Sequence, residues 1–177
     1  MKTFGPDRAS IEVLVFREGL LSAVGHDLVL RATSFEIAVE ADRPAASARI
    51  DAASLRVASA MRDGRPLPAG ALSASDVREI EATIAGTVLR VRRFPEIRFQ
   101  STAVSRRDDG LEVRGTLALA GRDREVALVA RREGDRLVAE VRLHQPDFGI
   151  APHRAMLGAL RVKADVVVRA AVPAEGP

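Results

Sequence analysis

The sequence contains no cysteine, no tryptophan and no tyrosine. Without cysteine the chain can form no disulfide and no thiolate metal site, and it has no thiol nucleophile. Without tryptophan or tyrosine it lacks the usual platforms on which single-stranded nucleic acid stacks. The six phenylalanines do not replace them, because they stand at apolar positions of the sequence pattern.

Lysine is scarce as well: Lys2 and Lys163 are the only two, so nearly all of the positive charge is arginine. The arginines are scattered over turns and polar positions, and they are interleaved with aspartate and glutamate. A nucleic-acid surface would need basic residues in a cluster. We therefore expect a solvated, arginine-rich surface and no nucleic-acid partner.

Long hydrophobic runs are also absent near the amino terminus. The first apolar stretch, IEVLVF, is too short for the core of a signal sequence or for a membrane span. This predicts a cytoplasmic protein without stable membrane insertion, or a periplasmic one from which a leader has been removed.

The chain is long enough for one sizeable core, with 177 residues of which 47% are hydrophobic. No shift of composition and no long linker divides it. We expect a single domain over residues 1–177, with a frayed tail from about residue 173.

Four segments of alternating apolar and polar residues follow one another between Ile97 and Leu143. They read IRFQSTAV, LEVRGTLAL, VALVARR and LVAEVRL, and short charged turns separate them. Because successive side chains on a strand point to opposite faces, the pattern predicts strands buried on one face. Tight turns make these strands antiparallel neighbours, and so long a sheet must curl, pair or close to hide its edges. The sequence thus predicts a mainly-β fold whose meander closes into a barrel of the kind that holds a small ligand.

One segment, SASDVREIEATIAGTVLR, has the spacing of a helix instead. Ile80, Ile84 and Val88 lie on one apolar stripe, and Ser73 or Ser75 can cap the start. We expect this amphipathic helix to plug or cover an open end of the barrel. The preceding MRDGRPLPAG is rich in glycine and proline and predicts a loop without regular structure.

The three histidines, His26, His144 and His153, each have an aspartate or arginine nearby in the sequence. Histidine with carboxylate suits zinc or iron, so a metal or enzymatic site on the barrel is one hypothesis. The other is that they are hydrogen-bonded polar groups at strand ends, with His26 at the rim of a pocket. Spacing alone does not bring the three together, and we assign no catalytic residue, no metal ligand and no cofactor.

Several motifs in order resemble the YceI-like family of polyisoprenoid-binding proteins. The sequence has GHDL, then the helical segment, then an FP-x-I-x-F motif, a G-x-L-x-L-x-G motif, a DFG turn and a valine-rich last strand. These later motifs run from Phe94 to Phe99, from Gly115 to Gly121, from Asp147 to Gly149 and from Val162 to Val168. The resemblance implies an extended, lipocalin-like antiparallel β-barrel with a helix near its mouth and a long isoprenoid chain inside.

The leading hypothesis is a non-enzymatic carrier or storage protein for an isoprenoid-type lipid, with a polyprenyl or quinone tail as ligand. His26 would be the polar group closest to the headgroup. The alternatives are the histidine-based site and a barrel filled by its own side chains, which would have the same alternation. The protein would be a monomer or an edge-paired homodimer. The residues expected to line the lipid site are Val24, Leu28, Phe35, Ile80, Ile84, Phe99, Leu117, Leu119, Phe148, Ile150, Leu157 and Leu160.

Overall fold

The computed structural model describes residues 1–19, 26–40, 44–155 and 160–174. Within these ranges the chain forms thirteen strands, and every pair of neighbouring strands is antiparallel. Their bounds are β1 Lys2–Phe4, β2 Ser10–Glu18, β3 Asp27–Ala32, β4 Phe35–Glu40, β5 Ala45–Asp51, β6 Leu55–Arg62, β7 Arg65–Pro66, β8 Glu96–Arg107, β9 Gly110–Leu119, β10 Arg122–Glu133, β11 Arg136–His144, β12 Arg154–Ala155 and β13 Leu160–Pro173.

The strands belong to one curled sheet. Their order is β1-β4-β5-β8-β9-β10-β11-β13-β2-β3-β6-β7, and β12 pairs only with β13. The predicted mainly-β, antiparallel class is therefore confirmed. Among the described strands, however, the hydrogen-bonded path has two ends, β1 and β7. The sheet curls into a half-barrel and does not form a continuous ring of paired strands.

The four alternating segments form the meander β8 to β11, as predicted. The turn between β9 and β10 consists of Ala120 and Gly121, whose φ angles are 51° and 80°. Two consecutive residues with positive φ are typical of the two-residue hairpin turn that matches the twist of the strands. The pairing of Leu119 with Arg122 follows directly from this turn.

The prediction of an irregular loop over MRDGRPLPAG was wrong for its first half. β6 runs on to Arg62 and turns through Asp63 and Gly64, whose φ angles are 53° and 75°, into the short strand β7. Asp-Gly is a strong signal for such a turn. The density of glycine and proline concealed it, since both residues also occur in irregular loops.

The predicted helix is present as α1, Ala74–Thr83, and continues in a π-helical turn from Ile84 to Val88. Its start is capped by Ser73: the Ser73 hydroxyl oxygen accepts a hydrogen bond from the Asp76 amide at 3.1 Å, and the Ser73 amide donates to the Asp76 carboxylate at 3.0 Å. This reciprocal pair is a capping box. No described helix is long and apolar enough to cross a membrane.

The helix is tied to β6, the strand next to β7 at one end of the sheet. The Val57 amide donates a hydrogen bond to the Glu81 carboxylate at 2.9 Å, and the Arg56 guanidinium lies 3.8 Å from the same carboxylate. After the helix, the carbonyl of Pro95 accepts a hydrogen bond from the Ala52 amide at 2.9 Å. The first two contacts hold the helix against β6, and the third joins the chain before β8 to the end of β5.

The buried apolar residues form two clusters. The first lies beside the helical segment and includes Leu30, Leu117 and Phe148, with Ile84 packed against it. The second lies around β1 and β4 and includes Phe4 and Ile37 among its buried residues. The interior thus has a helix-covered part and a separate, strand-enclosed part.

Candidate ligand-binding cavity

A cavity of about 510 Å³ lies inside the curled sheet, and the helical segment contributes to its wall. Apolar and polar residues alternate along the strands. Because every second side chain points to the concave face, the residues that line the cavity are mostly apolar. Its apolar wall residues are Ile11, Val13 and Val15 of β2; Leu28, Leu30 and Ala32 of β3; Ala48 and Ile50 of β5; Leu55 of β6; Ile97 and Phe99 of β8; Leu117 and Leu119 of β9; Val126 and Leu128 of β10; Val141 and Leu143 of β11; Val162, Val166, Val168 and Ala170 of β13; and Ile80, Ile84, Val88, Leu89, Phe148 and Ile150 outside the strands.

The described part of the wall contains only five polar residues, and they come from two places. Asp76, Glu79 and Thr83 belong to α1, while Gln145 and His153 belong to the segment between β11 and β13. Asp76, Glu79 and His153 are exposed, so the cavity meets solvent at these two segments. This is the mouth of the cavity.

The electrostatics of the mouth are set by its carboxylates. Hydrogen bonds from the Ser73 side chain and backbone hold the pKa of Asp76 below its ordinary value, so Asp76 is ionised at neutral pH. The Gln145 side chain is held by donating a hydrogen bond from Nε2 to the carbonyl of Lys163 at 3.0 Å. The mouth is therefore polar, whereas the interior is apolar.

The structure places eight of the sequence-predicted residues in the wall. They come from three strands, from the helical segment, and from the bend after β11. At that bend Gly149 adopts a φ of 69°, and Phe148 and Ile150, which flank it, are 2% and 5% exposed. The eight are Leu28, Ile80, Ile84, Phe99, Leu117, Leu119, Phe148 and Ile150.

Two other predicted residues that the structure describes, Phe35 and His26, do not border this cavity. Phe35, on β4, packs against the second cluster. His26 is half-buried just before β3 and does not border the cavity. Val24 and Leu157 lie outside the described residues. Leu160 begins β13, but its side chain is not among those that the structure describes.

Sequence reasoning missed the walls formed by β2 and β13. Ile11, Val13 and Val15 alternate with polar or outward residues on β2, and the valines of β13 do the same. The alternation was visible in the sequence, but it does not tell which strands adjoin the ligand space and which adjoin packed core.

The histidines do not form one site. His144 is exposed on β11 next to Leu143, whose side chain is in the wall, so His144 points outward. Its Nδ1 lies 2.7 Å from the Asp165 carboxylate, and this hydrogen bond lowers the pKa of Asp165. Within the described ranges, no three His, Asp or Glu residues are grouped so that they could hold a metal ion.

A second cavity of about 150 Å³ lies next to the first, towards the second cluster. Its wall includes Val104, Leu111 and Ala139, and Glu40 is its one charged residue among those described. The two cavities together mean that side chains leave part of the described interior unfilled.

A family model described as the YceI-like domain matches residues 18–174. A search of curated protein sequences found no match. Among solved structures, BcnA of Burkholderia cenocepacia superposes with a TM-score of 0.61 at 12% identity, over 94% of this chain and 96% of that one.

Two further solved structures have the same fold. One is a polyisoprenoid-binding domain from Saccharophagus degradans, implicated in plant cell wall breakdown, with a TM-score of 0.55 at 12% identity, over 96% of this chain and 94% of that one. The other is a YceI protein of Campylobacter jejuni, with a TM-score of 0.58 at 12% identity, over 84% of each chain. At such low identity the likeness shows a shared fold.

Proposed function

The chain belongs to the YceI-like family, and on that basis we propose that it binds the tail of an isoprenoid lipid in its apolar cavity. The tail would be a polyprenyl chain or the side chain of a quinone. The protein would act as a non-enzymatic carrier or storage protein, since nothing in this binding mode needs a catalytic group.

The observation that carries the proposal is the size and composition of the cavity. A cavity of about 150 Å³ is enough to bind benzene in an engineered protein core. The cavity here, about 510 Å³, is more than three times as large. If about 150 Å³ holds one six-carbon ring, the cavity accommodates roughly three to four isoprene units of five carbons each.

The free energy for binding comes from the apolar wall. Burying apolar ligand surface contributes about 25 cal/mol per Å², which favours an unbranched or methyl-branched hydrocarbon over a polar ligand. The polar residues of the mouth, among them Glu79 and His153, leave a place where a headgroup meets solvent. The Saccharophagus degradans domain of the same fold is described as polyisoprenoid-binding, which supports the choice of ligand class.

The first experiment is mass spectrometry of organic extracts from the purified protein, together with native spectra of the intact protein. We expect a co-purifying isoprenoid or quinone, or uptake of an added polyprenol, at about one per chain. Protein that is folded, empty and unable to take up any polyprenol would overturn the proposal.

A pair of variants then locates the site. Leu128 lines the cavity, whereas its neighbour Ala127 is exposed on the opposite face of β10. We expect Leu128→Arg to abolish polyprenol uptake, because it places a charge in the apolar interior. Ala127→Arg adds the same charge outside and should bind like the wild type. If circular dichroism shows Leu128→Arg to be unfolded, Leu128→Gln serves in its place.

A further inference from the structure

The two cavities share part of their walls. Ile11, Ala48, Phe99, Leu128 and Ala170 border both of them. These residues therefore form the partition between the cavities. The alanines are too small to separate two cavities, so the partition depends on the three larger side chains.

Phe99 is the largest of these side chains, and a glycine on the neighbouring strand leaves room for its ring. Its ring lies against Gly115 on the neighbouring strand β9, where any side chain would collide with it. Phe99 itself is only half-buried although it points inward, as expected for a ring with open space beside it. The absence of a side chain at Gly115 thus gives the ring its place at the partition.

We propose that Phe99 is the floor of the lipid site and sets the length of the isoprenoid tail that the protein accepts. The inference rests on the proposed function, because it assumes that the larger cavity holds the tail. With the ring in place, a tail ends at Phe99. Without the ring, the two cavities join and a longer tail fits.

The size of the effect follows from the volumes. The second cavity, about 150 Å³, matches the space that holds benzene in an engineered core, and so about one isoprene unit. The phenyl ring has six carbons, and its removal frees space for about one unit more. Truncation of Phe99 should therefore lengthen the preferred tail by about two isoprene units.

The test is a competition among all-trans polyprenols of increasing length, from farnesol upward, read by native mass spectrometry. We expect Phe99→Ala to prefer a tail about two units longer than the wild type prefers, with each newly buried unit favoured by about tenfold or more. Phe99→Leu keeps part of the partition and should shift the preference by less. Phe99→Leu also replaces Phe99→Ala in the test if Phe99→Ala does not fold.

Two controls make the result specific. Phe35→Ala removes the same ring from β4, where it borders neither cavity, and should leave the preferred length unchanged. Ala139 lines only the second cavity, so adding Ala139→Leu to Phe99→Ala refills that space and should shorten the preferred tail again.

The outcomes separate the two proposals. If wild-type protein binds polyprenols and Phe99→Ala keeps the wild-type length preference, Phe99 is not the floor and this inference is overturned. If folded wild-type protein binds no polyprenol of any length, the proposed function fails, and the inference fails with it.

Discussion

The ring of Phe99 on β8 lies against Gly115 on β9. A methyl group placed on Gly115 would stand 2.7 Å from two carbons of that ring, and closer still to the carbonyl oxygen of Gln100. Phe99 itself pairs with Leu117, so the contact with Gly115 is a diagonal one across the two strands. The glycine therefore determines how closely β8 and β9 approach and where the ring lies.

Gly115→Ala should destabilise the protein by about 1–3 kcal/mol, because the new methyl group overpacks against a ring and a backbone carbonyl. Urea unfolding measures the change. Gly86→Ala is the matched control: it lies in the helical segment, with no neighbouring atom within 4 Å of its new methyl group. That change should raise the free energy of unfolding by up to about 1 kcal/mol. Equal effects of the two substitutions would contradict the crowding at Gly115.

Two phenylalanines of the cavity wall should differ in their contribution to stability. Phe148 is 2% exposed and packs in the first cluster, and Phe148→Ala should cost about 3–5 kcal/mol. Phe99→Ala should cost less, because the half-buried ring of Phe99 already borders empty space on two sides. Denaturant unfolding of both variants without ligand checks the order. A loss at Phe99 as large as that at Phe148 would show that the partition is packed core.

The capping box at the start of α1 should stabilise the helix that borders the cavity. Ser73→Ala removes the hydroxyl that accepts from the Asp76 amide, and we expect a loss of about 0.5–2 kcal/mol in thermal or urea unfolding. Ser75→Ala is the control: it removes the 2.9 Å hydrogen bond between the Ser75 and Ser73 hydroxyls but leaves the Ser73 hydroxyl that accepts from the Asp76 amide. Equal losses from both substitutions would argue against Ser73 as the cap.

The same capping box predicts a pH dependence. Because folding lowers the pKa of Asp76, its contribution to stability is fully present above the ordinary aspartate pKa of about 3.9. That contribution is lost as the pH falls through the lowered value in the folded state. The difference in stability between wild type and Asp76→Asn should therefore stay constant from neutral pH to about pH 4 and shrink as the pH falls further. A stability difference between the two proteins that grows as the pH falls would contradict this prediction.

His144 should affect only its partner on the outer face. Removing the hydrogen bond in His144→Ala should raise the pKa of Asp165 towards its ordinary value, as measured by NMR titration. Polyprenol uptake should stay at the wild-type level, because His144 points away from the cavity. Loss of uptake in a folded His144→Ala protein would instead revive a histidine-based site.

Much of the fold could be predicted from local pattern. The alternation between Ile97 and Leu143 predicted the strands β8 to β11, and the apolar stripe predicted the helix with Ser73 as one of two candidate caps. The order of the motifs pointed to the YceI-like family, which the family match confirms. The hairpin at Asp63 and Gly64 has the Asp-Gly signal of a two-residue turn, but the glycines and prolines around it are equally typical of an irregular loop.

What the sequence by itself determined is which face of each strand is apolar, since that depends only on a period of two residues. The sequence did not determine how far along the half-barrel each inward-pointing side chain lies. Phe35 and Phe99 have the same side chain and both point inward, yet one packs in the second cluster and the other separates two cavities. Only the curvature of the sheet and the position of the helix decide this, because a cavity forms where distant segments fail to fill the space between them.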